Sequence, residues 1–233
     1  MILAVWSGPR NLSTALMYSF AQREGCEAVD EPFYAAWLAS GLGADHPMRE
    51  AVMASQPSDP SEVARAVSAP TGGLRYLKLM CQHMTRDMPL DWCDTACHVH
   101  LIRHPARVAA SFAAKKGLLT HDELGFARQE ELFERVALRG ADPVVVEAES
   151  IRADPEGTLR RLCEAVGLDF DSVMLSWPAG PKPYDGAWAP HWYGSVHGST
   201  GFAGAEGPPP EVPHAALMGH ALPIWERMRA RAI

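Results

Sequence analysis

Residues 7–14 combine the groups that a phosphate-binding turn needs. This segment, Ser-Gly-Pro-Arg-Asn-Leu-Ser-Thr, lies between an apolar run, Ile2–Trp6, and a helical pattern. Unpaired N–H groups and the helix dipole favour an anion at such a place. Arg10 adds a positively charged guanidinium group, and Ser13 and Thr14 add hydroxyl donors. The alternative is that a serine only caps the helix and that Arg10 is a surface charge.

The same segment is not a Walker A motif. That motif, G-x-x-x-x-G-K-[ST], needs a second glycine and a lysine, and both are absent from residues 7–14. The usual argument for magnesium-assisted chemistry on a nucleoside triphosphate therefore does not apply. The segment predicts an anion-binding turn of a different type.

A second anion-binding arrangement lies at residues 102–112. Arg103 ends a predicted strand, and Ser111 follows it by about two helical turns. The guanidinium can contact a phosphate with two hydrogen bonds, and the hydroxyl eight residues later can close the far side. Either residue alone would be explained by an arginine that caps carbonyls or a serine on an amphipathic helix. Two such turns in one chain favour a ligand with two anionic ends.

Together the two segments resemble those of sulfotransferases that use 3'-phosphoadenylyl sulfate (PAPS). In that family a Pro-[Lys/Arg]-Ser-Gly-Thr-Thr loop holds the 5'-phosphosulfate, and an arginine followed eight residues later by a serine holds the 3'-phosphate. Arg103 and Ser111 match the second segment with the same spacing, and leucine replaces the glycine of the first. The residues that match the first segment are Pro9, Arg10, Asn11, Leu12, Ser13 and Thr14.

The resemblance implies a PAPS-dependent sulfotransferase that moves a sulfuryl group to a hydroxyl or amine of a small-molecule acceptor. PAPS is then a co-substrate, and no metal is expected. One family feature is missing: a late Arg-Lys-Gly segment commonly closes over the 3'-phosphate, but residues 185–219 contain no basic side chain other than histidine.

Three further residues are candidates for the chemistry, which needs a base for the acceptor proton and cations for the leaving oxygen. Glu31 follows the second predicted strand, where carbohydrate and tyrosine sulfotransferases carry a catalytic glutamate. His83 lies near the Lys-x-His of cytosolic members, three residues out of step. We prefer Glu31 as the base. Lys78 is the candidate second cation, or else a salt-bridge partner at the rim.

Other residues that could do chemistry point to simpler roles. His98, His100 and His104 could suggest a metal, but no carboxylate accompanies them at ligand spacing, so we expect buried or hydrogen-bonded imidazoles. The five cysteines have no CxxC spacing and predict reduced thiols. Aromatic side chains in the late segment could line an acceptor pocket or pack beneath a lid; these are Trp188, Trp192 and Tyr193.

Strands that alternate with helices must position these residues. The predicted strands are Ile2–Trp6, Cys26–Val29, Leu74–Met80, Cys97–Ile102 and Pro143–Val146. The predicted helices begin near Leu12, Pro60, Ala106, Thr120 and Asp154, the fourth running to about Leu138, and a closing helix covers Ala215–Arg229. This alternation predicts an α/β fold, a three-layer αβα sandwich with a mostly parallel sheet. With the resemblance it becomes a P-loop NTPase-like, sulfotransferase-like fold.

The stretch from Ser176 to Pro213 is rich in glycine, proline, tryptophan and histidine, without periodicity. It predicts a long C-terminal loop region over the carboxyl edge of the sheet, where open α/β sheets bind ligands.

Length and composition set the remaining expectations. A chain of 233 residues that is 47% hydrophobic suits a single sulfotransferase-like domain over residues 1–233. A net charge of −7 without a basic stripe argues against nucleic acid as a partner. No apolar run is long enough for a membrane span, and the start predicts a strand rather than a signal peptide, so we expect a cytoplasmic protein. The sequence does not predict the oligomeric state.

Two other classes of function stay open at this point. One is a nucleotide kinase or another phosphoryl transferase of the same fold, although the missing Walker lysine argues against it. The other is a nucleotide-binding module without turnover.

Overall fold

The computed structural model describes residues 1–43, 46–116, 120–211 and 215–233. Within them five strands form one parallel sheet in the order β2-β3-β1-β4-β5. The strands are β1 (Ile2–Ser7), β2 (Cys26–Asp30), β3 (Leu74–Met80), β4 (Ala96–Ile102) and β5 (Val144–Glu147). The chain first builds one side of the sheet from β1 and then the other, so the carboxyl ends of β1, β3 and β4 flank a topological switch point.

Helices cover both faces of this sheet, which confirms the predicted three-layer αβα architecture. None of those within the described ranges is long and apolar enough to cross a bilayer. They are α1 (Ser13–Phe20), α2 (Tyr34–Ala39), α3 (Arg49–Ser55), α4 (Pro60–Ser68), α5 (Pro105–Lys116), α6 (His121–Leu124), α7 (Phe126–Leu138), α8 (Ala148–Ala153), α9 (Pro155–Ala165), α10 (Ala189–Trp192), α11 (Gly194–His197) and α12 (Ala215–Arg229).

The central strand β1 shows how the layers form. Successive side chains of a strand point to opposite faces. Leu3 and Val5 are buried in a cluster with α1 and α9, whereas Ala4 and Trp6 are buried in a second cluster with α4 and α7. Because both faces are covered, the strand is an unbroken apolar run. It ends at Ser7, where the first predicted anion-binding turn begins.

The helix predicted from Thr120 to about Leu138 is divided in two, which corrects that prediction. Thr120 forms a capping box with Glu123 at the predicted start of this helix. Gly125 then adopts φ 73°, a left-handed conformation that ends α6 and begins α7. The break brings the carbonyl of Leu124 against Gly8, where an added Cβ would lie 2.7 Å from that oxygen. The division of the helix therefore supports the turn after β1.

The region from Ser176 to Pro213 is less irregular than predicted. It contains the short helices α10 and α11 and one antiparallel bridge between Ser176 and Gly201. Residues 212–214, and thus the end of that prediction, lie outside the described residues. The closing helix α12 occupies the predicted range.

Candidate active site

A cavity of 360 Å³ opens at the carboxyl ends of β1, β3 and β4. The structure brings together on its wall every residue that the sequence singled out for chemistry or donor binding: Pro9, Arg10, Asn11, Leu12, Ser13, Thr14, Glu31, Lys78, His83, Arg103 and Ser111. They come from four strand ends and one helix. The predicted site residues thus share one cavity, while their roles remain predictions.

The turn between β1 and α1 leaves the start of the helix open to a ligand. Leu12 is the N-cap residue at φ 71°, and no side chain within the described residues caps α1. Neither Ser7 nor Ser13 caps α1, so the alternative interpretation, in which a serine of residues 7–14 only caps the helix, is wrong. Leucine adopts the left-handed backbone that glycine usually provides, at a cost of about 1–2 kcal/mol. The Asn11 side chain donates a 3.1 Å hydrogen bond to the Leu101 carbonyl and fixes the turn to β4.

The two predicted arginines face the same cavity. Arg10 Nε donates a 3.0 Å hydrogen bond to Ser111 Oγ, and Arg103 Nη1 donates to the Arg10 carbonyl oxygen at 2.9 Å. Burial and the neighbouring charge of Arg103 lower the pKa of Arg10. The two predicted anion-binding segments are therefore in direct contact, and they concentrate positive charge at one place in a chain of net negative charge.

Two more arginines and one glutamate complete this end of the site. Arg152 Nη1 lies 3.2 Å and Arg103 Nη2 lies 2.6 Å from Glu206 Oε1, and Arg107 Nε lies 3.7 Å from Glu206 Oε2. From the sequence no role was predicted for Arg107, Arg152 or Glu206. Arg107 could have been found because it lies four residues after Arg103, in the first turn of α5. Glu206 lies in an irregular segment without any local signal.

The carboxyl end of β2 carries a buried charged network around Lys78. Its Nζ lies 2.9 Å from Asp30 Oδ1 and 2.6 Å from Glu31 Oε1, and it also donates to Tyr193 Oη. Tyr193 Oη in turn donates to Asp30 Oδ2 at 2.7 Å and accepts a hydrogen bond from Trp188 Nε1. Burial alone would lower the pKa of Lys78, but the two carboxylates raise it. The lysine is therefore held as a cation between two acids.

Glu31 reaches this network through an unusual backbone conformation. Neighbouring residues of a strand point to opposite faces, yet Asp30 and Glu31 both contact Lys78. Glu31 has φ 42°, a left-handed value that turns its side chain toward the cavity. Such strain is typical of functional sites. Burial raises the pKa of Glu31, although Lys78 opposes this effect.

His83 lies beside Glu31 as a neutral imidazole. Its ring stacks on Tyr34, with centroids 4.1 Å apart, and on Trp37, with centroids 5.0 Å apart. Burial, and then the charges of His46 and Lys78, lower the pKa of His83. Its Nδ1 lies 3.7 Å from Glu31 Oε2 and forms no hydrogen bond with any described residue. The two candidate bases are thus neighbours.

The remaining histidines and cysteines do not form a metal site among the described residues. His98 Nδ1 accepts a 2.9 Å hydrogen bond from Trp6 Nε1, while the buried His100 has no hydrogen-bond partner in the described ranges. All five cysteines are free thiols. In the late segment, Trp192 and Tyr193 line the cavity, whereas Trp188 packs behind it.

The layered fold and this site define a class of protein. The chain belongs to the sulfotransferase family, since the family model described as a sulfotransferase domain matches residues 1–232. In structure, the chain is similar to the sulfotransferase domain from the Synechococcus PCC 7002 olefin synthase, with a TM-score of 0.56 and 20% identity over 98% of this chain and 94% of that one. That similarity shows a common fold.

Two curated relatives are proteins of Arabidopsis thaliana. This chain is 36% identical to branched-chain-amino-acid aminotransferase-like protein 2 and 37% identical to protein 1 of the same name, in each case over 98% of this chain. The matched part is 41% and 42% of those proteins. The chain therefore spans about two fifths of the length of the curated relatives it matches, and their names describe the longer proteins.

Proposed function

We propose that this chain transfers a sulfuryl group from PAPS to a hydroxyl or amine of a small-molecule acceptor. The observation that carries the proposal is the meeting of two anion-binding segments in one 360 Å³ cavity that also contains Glu31, Lys78 and His83. Membership of the sulfotransferase family supports it. No observation favours a phosphoryl transferase over this function.

The donor would be held at both of its anionic ends. The open N-terminus of α1, with Arg10 and the hydroxyls of Ser13 and Thr14, suits the 5'-phosphosulfate. Arg103 and Ser111 suit the 3'-phosphate. The hydrogen bond between Arg10 Nε and Ser111 Oγ joins the two segments, which supports the proposal that they bind one nucleotide.

Transfer itself requires a base and charge stabilisation. The acceptor oxygen or nitrogen forms a bond to sulfur, while the bond between sulfur and the bridging phosphate oxygen breaks and leaves adenosine 3',5'-bisphosphate. Glu31 receives the acceptor proton, because its carboxylate faces the cavity and its raised pKa brings it closer to neutral pH. Arg10 and Lys78, which line the cavity, would neutralise the charge on the leaving oxygen, and Lys78 also pairs with Glu31.

The acceptor would enter from a second cavity of 880 Å³. The two cavities share the wall residues His46, Gln82, His83 and Phe112, so the space on one side of His83 continues toward Glu31. Trp37 and Met84 add apolar surface there. This space suits a small organic acceptor that presents its hydroxyl or amine past His83.

Binding of adenosine 3',5'-bisphosphate tests the donor site. We expect this ligand to raise the melting temperature of the protein, and Arg103→Ala to remove most of the shift, because the arginine contacts one end of the ligand. Arg160→Ala, on the exposed side of α9, is the matched control and should keep the shift. No shift at millimolar ligand would overturn the proposal, and a larger shift with Mg-ATP would favour a phosphoryl transferase. Transfer of labelled sulfate from PAPS to a panel of alcohols and amines then separates an enzyme from a binding module.

A further inference from the structure

Residues 203–211, which we call the strap, cross the arginine end of the cavity without helix or strand. Every strap residue is exposed except Glu206, whose side chain is only 17% accessible to solvent. A segment so rich in glycine and proline, with one buried carboxylate, is held in place by few contacts. The groups that hold the strap therefore determine which ligand could release it.

Within the described residues, the hydrogen bonds and ion pairs of the strap all go to three arginines. Glu206 pairs with Arg103, Arg107 and Arg152. The backbone does the same: the Gly204 carbonyl accepts from Arg152 Nε at 3.0 Å, and the Gly207 carbonyl accepts from Arg107 Nη2. One of these arginines is the residue that the proposed function assigns to the 3'-phosphate. The strap therefore occupies the place that this phosphate needs.

The carboxylate of Glu206 does not satisfy all the hydrogen-bond donors of these arginines. Arg103 Nε, Arg107 Nε and Glu206 Oε2 are all buried, and none of them has a hydrogen-bond partner among the residues that the structure describes. Three guanidinium groups surround Glu206, and within the described part of the chain the other acid that pairs with them is Glu149, 3.4 Å from Arg107. One positive charge thus remains in excess. A phosphate monoester carries three acceptor oxygens and nearly two negative charges, so it matches these donors better than a carboxylate does.

We propose that Glu206 occupies the 3'-phosphate subsite of the free protein and that the 3'-phosphate of the donor displaces it and releases the strap. Glu206 is then a specificity-determining residue, because only a nucleotide with a 3'-phosphate can replace its contacts. A nucleotide with a 5'-phosphate alone binds beside an undisturbed strap. This inference rests on the proposed function, since it takes the donor to be a 3'-phosphorylated adenosine compound.

Calorimetric titrations with two probes test the inference. Glu206→Gln removes the competing charge and should tighten the binding of adenosine 3',5'-bisphosphate on the order of tenfold. Adenosine 5'-monophosphate should bind the same variant within about twofold of the unaltered protein. Glu211→Gln is the matched control, because Glu211 is the other acid of the strap and is exposed. It should change neither affinity.

A second measurement on the unaltered protein reports the strap itself. A glutamate-specific protease can cut after Glu206 only when this side chain leaves the arginines. Adenosine 3',5'-bisphosphate should accelerate this cleavage, as followed by mass spectrometry, and adenosine 5'-monophosphate should not.

The outcomes separate this inference from the proposed function. If the bisphosphate binds but Glu206→Gln leaves its affinity unchanged or weakens it, Glu206 does not compete with the ligand, and the inference is wrong while the donor site stands. The inference is also wrong if Glu206→Gln tightens the binding of both nucleotides equally, since Glu206 would then repel anions in general. It is likewise wrong if the bisphosphate does not accelerate cleavage after Glu206. If the bisphosphate binds neither the unaltered protein nor Glu206→Gln, the proposed function and the inference are both overturned.

Discussion

Glu31 and its neighbours concentrate buried charge at the carboxyl ends of β2 and β3. Two carboxylates, one lysine and one tyrosine share hydrogen bonds, and Glu31 has a strained backbone. Sequence analysis could select Glu31, Lys78 and His83 because each lies at or just past a predicted strand end. It could not select Asp30 or Tyr193 as their partners, since their contacts with Lys78 join residues 48 and 115 positions apart.

Glu31→Gln tests the base. We expect the rate of sulfuryl transfer to fall by about 10²- to 10⁴-fold, because a general base contributes that much, while the affinity for adenosine 3',5'-bisphosphate stays within about twofold. Steady-state kinetics with PAPS and calorimetry measure the two quantities. A larger loss in His83→Gln than in Glu31→Gln would instead make His83 the base.

The pH dependence of the rate follows from the same carboxylate. Glu31 accepts a proton only when it is ionised, so kcat/KM should fall as pH drops through its pKa. Burial raises that pKa above the ordinary value of 4.5, and the activity should therefore be lost at a higher pH than for an exposed glutamate. Burial lowers the pKa of His83, which should stay neutral above its ordinary value of 6.5. If the acid limb disappears in His83→Gln, this assignment is wrong.

Tyr193→Phe should destabilise the protein. The hydroxyl bridges Lys78, Asp30 and Trp188, so its loss leaves buried polar groups unpaired at a cost of about 1–3 kcal/mol in the free energy of unfolding. Tyr184→Phe is the matched control, because the buried Tyr184 hydroxyl has no hydrogen-bond partner among the described residues. Urea unfolding of both variants compares them, and equal stabilities would show that the network contributes little.

The sequence predicted the strands more completely than the helices. The five strands were predictable because each is a short apolar or β-branched run followed by a turn or a helical pattern. The division between α6 and α7 was missed because Gly125 stands inside an otherwise helical pattern. The break brings the Leu124 carbonyl against Gly8, and this contact could not be predicted from the sequence. The short helices α10 and α11 lack a periodic face and depend on packing against the rest of the chain.

The turn after β1 depends on the absence of a side chain at Gly8. A Cβ there would lie 2.7 Å from the Leu124 carbonyl, so Gly8→Ala should cost about 1–3 kcal/mol in stability and displace the anion-binding turn. We expect a smaller melting-temperature shift with adenosine 3',5'-bisphosphate. Gly72→Ala is the control, because an added Cβ at Gly72 meets nothing within 4 Å. Equal shifts in the two variants would show that the turn tolerates the change.

For the molecule as a whole, alternation of strands and helices was enough to predict the layered architecture, and two short motifs were enough to indicate the family. The single domain over residues 1–233 and the cytoplasmic location stay predictions. The strap could not be predicted, because its placement depends on one glutamate meeting arginines from three separate positions of the chain. In a chain of net charge −7, a concentration of arginines favours the binding of an anion at this end of the cavity.

A crystal structure with adenosine 3',5'-bisphosphate bound would test whether the two anion-binding segments hold one nucleotide. We expect the 5'-phosphate at residues 9–14, the 3'-phosphate between Arg103 and Ser111, and Glu206 displaced from the arginines. A bisphosphate bound outside this cavity, or one that touches only one of the two segments, would contradict the assignment of the site as a PAPS donor site.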